Sequence, residues 1–150
     1  MWGMRRFVLI ATVAVGLVAC SHTGRDAGST ARIETSGGPV VVHVAVADTP
    51  AARERGLMNV RDLAPDGGMA FVFDDPSSSA FWMKDTPLPL SIAFWGRDRR
   101  IAAIMDMAPC RAGPCPTYRP DRPFVGALEV HRGFFAEHAV EVGDRIALVR

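Results

Sequence analysis

Pro39-Val40-Val41-Val42-His43-Val44-Ala45-Val46-Ala47-Asp48-Thr49-Pro50 is the stretch on which the reading of the fold turns. Val40, Val42, Val44 and Val46 alternate with Val41, His43, Ala45 and Ala47, which gives an extended segment one strongly apolar face. This period of two, carried by β-branched residues, predicts a strand. His43 falls on its second face and reads as a surface residue rather than a ligand. Asp48-Thr49-Pro50 then predicts a helix start, with a polar cap before a proline that needs no amide hydrogen in the first turn. Gly56 offers a left-handed stop little more than a turn later, and Leu57 and Met58 are expected to enter the core.

The same pattern continues toward the C-terminus. Pro65-Asp66-Gly67-Gly68 is a turn, and Met69, Phe71 and Phe73 alternate with Ala70 and Val72 as a second strand. Ala80 to Met83 reads as a short third strand, and Pro87 and Pro89 interrupt the chain before Leu90, Ile92 and Phe94 resume alternation. Gly96 to Arg100 is a charged turn joining this strand to Ile101–Met107 as a hairpin. Residues 109–123 hold five of the eleven prolines, and no regular element is expected there. Phe124 to Val130 and Arg145 to Val149 read as further strands, with a short helix within Gly133 to Ala139. Seven or so short strands predict a mainly β, compact antiparallel domain of sandwich or barrel-like form with one or two short helices.

The amino terminus speaks to location. Arg5 and Arg6 precede an uncharged, apolar run from Phe7 to Ala19. That run is about 13 residues long, whereas a membrane-spanning helix needs about 20. It therefore reads as the core of a signal peptide over residues 1–19. Leu17-Val18-Ala19-Cys20 resembles a lipobox, which makes Cys20 the expected lipidation site and the membrane a partner through that lipid. Residues 20–38 are rich in Ser, Thr, Gly and Ala and read as a flexible tether, which leaves 39–150 as a single domain. The expected location is extracytoplasmic, anchored to the cell membrane or the outer membrane.

The formal charge is +1, and losing Arg5 and Arg6 leaves 15 basic against 16 acidic residues. A chain this close to neutral carries no electrostatic footprint for nucleic acid. With Cys20 lipidated, Cys110 and Cys115 remain as an even pair, which outside the cytosol predicts a disulfide stiffening the proline-rich loop. A metal or redox site is the competing reading, but the two cysteines are separated by four residues rather than two and no histidine lies nearby. No cofactor motif and no zinc, calcium or phosphate-binding signature is present, so no cofactor and no metal are expected.

Several ordered blocks resemble the family called domain of unknown function 192. They are Asp48-Thr49-Pro50 with Arg53 through Gly56-Leu57-Met58, then Gly68-Met69 with Phe71 and Phe73. Phe81-Trp82-Met83-Lys84 with Thr86, Pro89-Leu90 and Ile92 is the most distinctive. Met107-Ala108-Pro109-Cys110, Cys115-Pro116-Thr117-Tyr118, Leu128-Glu129 and Gly133-Phe134-Phe135 complete the set. The resemblance spans about Val40 to Val149 and implies a small, largely β domain, often exported, with no established activity. Two positions depart from the family pattern: Asp85 stands where asparagine is usual, and Ser91 where aspartate is usual.

Lys84 is the only lysine, against sixteen arginines. A compact ammonium whose proton affinity falls on burial suits proton transfer or nucleophilic work. On an extended segment Lys84 shares a side with Trp82, which suits a cation–π contact or a pocket lining. The plainer reading is a stem lying along the sheet, with Asp85-Thr86 opening a turn. Trp82, Met83, Lys84 and Tyr118 are the candidate ligand-binding residues, and Lys84 and Asp85 the candidate catalytic ones.

Three functions follow as expectations. The first is a lipid-anchored accessory protein that binds an envelope ligand or protein partner. The second is a small hydrolase or transferase using Lys84 with Asp85, which requires Lys84 to be buried in a concave site. The third is a copper-handling lipoprotein, which requires the thioethers of Met69, Met83, Met105 and Met107 to converge rather than fill the core.

Overall fold

The computed structural model describes residues 28–149, so the expected leader and Cys20 lie outside the described residues. In chain order the elements are β1 (Thr30–Thr35), β2 (Gly38–Ala47), α1 (Pro50–Arg55), β3 (Gly67–Ser77), β4 (Phe81–Trp82), β5 (Leu90–Trp95), β6 (Ile101–Met107), β7 (Thr117–Tyr118), β8 (Phe124–His131), α2 (Phe134–Glu137) and β9 (Arg145–Val149). Seven strands form one sheet in the order β6-β5-β8-β3-β2-β1-β9, and β4 pairs with β7 as a separate ribbon. The two edges of the large sheet meet at one corner. Arg100 bridges Arg145, and the Ile146 amide donates to the Arg99 carbonyl at 2.8 Å. The sheet is thus curled into a barrel-like form closed at that corner, the mainly β architecture that the alternating pattern predicts.

Curling gives the sheet two different faces. All seven strands contribute to an inner core that includes Ala31, Ile33, Val42, Val44, Ala70 and Ile146, and Phe134 and Phe135 of α2 plug it. An outer core lies over β6, β5, β8, β3 and the end of β2, leaving β1 and β9 uncovered on that face. There Phe71, Ile92, Phe94, Phe124 and Met107 are covered by Leu57, Met83 and Cys110 from the connecting segments. The central strands are therefore apolar on both sides, and β5 is buried at every one of its positions.

Three expectations need correction. Residues 30–35, assigned to the flexible tether 20–38, form β1, which pairs with both β2 and β9. Ala31 and Ile33 point inward and are fully buried, so two apolar side chains suffice once strands lie on either side. The antiparallel rule also has one exception, since β2 and β3 run parallel. α1 and the segment after it supply the crossover that a parallel pair requires. Within 109–123, where no element was expected, β7 pairs Tyr118 with Phe81 and Thr117 with Trp82.

Candidate functional site

α1 is placed by the chemistry its sequence announces. The Ala52 amide donates to Thr49 Oγ1 at 3.2 Å, Pro50 opens the first turn, and Gly56 ends the helix at φ 47°. An added Cβ at Gly56 would lie 3.5 Å from the Phe71 ring, so the helix end rests directly on β3. Arg53 anchors the helix from below. Its guanidinium donates to the carbonyls of Asp48 and Val72 at 2.7 and 2.8 Å and lies 4.7 Å over the Phe73 ring.

Between α1, the end of β3, the ribbon strand β4 and β8 lies a cleft of about 540 Å³, a volume suited to a small organic molecule. Phe71, Phe73, Phe81 and Trp82 form its aromatic side, and Glu129 lies within it. The rings brace one another: Phe81 meets Phe71 edge-on at 4.9 Å and Phe94 at 5.4 Å. Such pairs hold ring positions more firmly than burial alone.

Glu129 is the least expected member of the site. It sits mid-strand on β8, between Met69 of β3 and Ile92 of β5, and is only 4% exposed. Among the described residues no hydrogen bond and no ion pair reaches its carboxyl, and yet no fully enclosed side-chain oxygen is left without a partner. The Glu129 oxygens therefore keep some contact with the cleft space. Burial pushes this carboxyl up to about 8, because the charged form loses its hydration and no neighbouring cation replaces it.

The sequence-derived candidates fall in different places. Trp82 lines the cleft and is 48% exposed, while Lys84 is exposed with Nζ 5.5 Å from the Trp82 ring centre. Their shared side and the cation–π contact follow the period-two reading. Lys84 is not buried in a concave site, as the hydrolase expectation requires, because its segment runs along the surface. Asp85 is exposed too, at φ 54°, and its carbonyl accepts from the Asn59 amide at 2.8 Å. Met83, proposed as a ligand contact, is 1% exposed and belongs to the outer core. Met107 is equally sealed, so these two thioethers fill space rather than await an ion. Tyr118 lies behind β4, where its hydroxyl accepts from the Ala108 amide at 3.3 Å. Cys110 and Cys115 are joined as a disulfide. Cys110 in turn donates to the Met83 carbonyl and accepts from the Asp85 amide, both at 3.3 Å, so the crosslinked loop props the segment that follows Trp82. Ser91, at the position where the family pattern has aspartate, faces away from the cleft. Its hydroxyl donates to Asp106 Oδ1 at 2.6 Å and accepts from the Gly133 amide at 3.0 Å, pinning the start of α2.

Sequence reasoning did not single out Arg53 or Glu129, although both stand in the blocks quoted above. The available signal was an acid in the middle of a strand between apolar neighbours, Leu128 and Val130.

Comparison with known proteins gives an architecture without an activity. A protein of unknown function from Novosphingobium aromaticivorans superposes with a TM-score of 0.74 at 28% identity, over 79% of this chain and 83% of that one. A Sinorhizobium meliloti protein, provisionally named a transcription regulator, gives 0.71 at 32% identity over 80% and 93%. No functionally curated protein matches the chain. The profile of DUF192, described as an uncharacterized ACR, matches residues 31–148. The cleft, its aromatic side and Glu129 all lie within that span, and the chain belongs to the domain of unknown function 192 family.

Proposed function

We propose that this chain is an exported, lipid-anchored protein whose single domain binds a small molecule in the cleft between α1 and β4. The observation that carries the binding half is Glu129, a carboxyl only 4% exposed whose oxygens open onto an aromatic-lined cleft, with no hydrogen bond or ion pair from the described residues. A carboxyl so largely withdrawn from water, at a point where only the cleft can supply a partner, favours a role in holding a ligand. The anchoring half rests on the sequence up to Cys20 and gains support from the crosslinked Cys110 and Cys115, since structural disulfides belong to oxidising compartments.

Each half has its own test. Wild-type protein expressed in bacteria should incorporate radiolabelled palmitate, and Cys20→Ser should lose the label entirely. Label retained by Cys20→Ser, or none in either protein, would end the lipoprotein assignment. For binding, a fragment screen on the isotope-labelled domain should shift the Trp82 indole and the amides of Gly56 and Thr86 together. Shifts scattered over the surface, or confined to the β6–β9 corner, would remove the cleft from consideration.

A further inference from the structure

The Glu129 carboxyl has no positive partner among the described residues, and two of the three cations near the cleft are engaged elsewhere. Arg53 is held by two carbonyls and stacked on Phe73, and Lys84 lies over Trp82. Arg55 and Glu54 line the cleft from the exposed side of α1 and are opposite in sign. Asp85 is exposed beyond Trp82, and no histidine lines the cleft. Among the described residues none of these cations forms an ion pair with Glu129.

Around this carboxyl the walls are aromatic. Phe71, Phe73 and Phe81 border the same space, and ring faces attract cations as well as apolar groups. Arg53 on Phe73 and Lys84 on Trp82 show the rings of this cleft already used in that way.

Taking the cleft as a binding site, we propose that its ligand is an organic cation, an ammonium group set against Glu129 with an apolar body between the phenylalanine rings. On binding, the carboxyl gives its proton to solvent and the ammonium N–H groups donate to the carboxylate left behind. A neutral ligand would leave that proton in place. An anionic one would oppose the carboxyl's ionisation, with only Arg55 on the exposed side of α1 to offset it.

Three probes of nearly equal shape separate these cases: benzylamine, benzyl alcohol and benzoate, titrated against the labelled domain by NMR. Benzylamine should bind at least about tenfold more tightly than benzyl alcohol or benzoate at pH 7. Its affinity should rise about tenfold between pH 6 and pH 7, as each unit below the carboxyl's value of about 8 costs a proton released on binding. Glu129→Gln, which keeps shape and removes the charge, should abolish that pH dependence and weaken benzylamine about tenfold or more, while benzyl alcohol is little changed. Equal binding of the alcohol or of benzoate, or a benzylamine affinity flat in pH, overturns the cation assignment and leaves the cleft as a binding site. Silence of the cleft toward all three also overturns it. Silence toward the fragment screen as well takes the binding-site reading with it.

Discussion

Gly126→Ala should destabilise the domain by about 3 kcal/mol, lowering its melting temperature by roughly 10 °C. Gly126 pairs with Trp95 between β8 and β5, and the indole lies across the glycine. A Cβ built there would come within 2.0 Å of Trp95 Cζ2 and 2.3 Å of Cε2, so the ring or the strand must move. Trp95 is 7% exposed and packed in the inner core, which leaves the ring little room to swing away. Close packing turns such an overlap into strain across neighbouring strands. Placing Trp95→Leu in the Gly126→Ala background should recover part of the loss, although Trp95→Leu alone destabilises. That non-additivity, read from a double-mutant cycle of thermal melts, is the signature of direct contact. A Gly126→Ala protein melting within about 2 °C of wild type would show that the overlap does not exist in solution.

The second large effect is a dependence of stability on pH with the opposite sign to that of most carboxylates. In the unfolded chain Glu129 loses its proton near the ordinary value of 4.5, whereas in the folded state burial holds the proton until about 8. Between these values the folded state binds more protons than the unfolded state, so stability falls as pH rises. No penalty operates below about pH 4.5, and it is complete above about pH 8. Linkage puts the total at about 5 kcal/mol. Glutamine cannot ionise and should escape it. Urea unfolding at pH 5 and pH 9 should therefore show the two proteins within about 1 kcal/mol of each other at the lower pH. At the higher pH, Glu129→Gln should be more stable by several kcal/mol. A difference between the two that stays constant from pH 5 to pH 9 would mean that Glu129 is solvated in the folded state, and the cleft would lose its defining feature.

These two residues also mark how far the sequence can be read. The hairpin of β5 and β6 is legible because Leu90, Ile92 and Phe94 alternate and a charged turn separates them from Ile101–Met107. The start and stop of α1 are legible because Thr49, Pro50 and Gly56 act within a few residues of themselves. β1 is not. Ala31 and Ile33 are too few to mark a strand in a Ser- and Gly-rich stretch, and only the flanking β2 and β9 make their burial complete. The candidate site divides in the same way. That Trp82 and Lys84 share a side follows from strand geometry, and their contact results from it. That Met83 is sealed depends on the outer core, to which segments far apart in sequence contribute.

From local rules alone, the chain specifies a mainly β domain, the caps of one short helix, the pairing of Cys110 with Cys115 and the expectation of a lipidated Cys20. Each depends on side chains a few residues apart, where period and turn chemistry act directly. Tertiary structure alone decided which face of which strand is covered. Glu129 reads as an acid on the weaker face of β8, opposite Leu128 and Val130. It becomes a buried carboxyl because the sheet is apolar on both sides, and α1 and the segments leading into and out of β4 roof its outer face. Burial is a property of what folds over a residue, and the pieces that cover Glu129 come from parts of the chain that no local pattern connects to it.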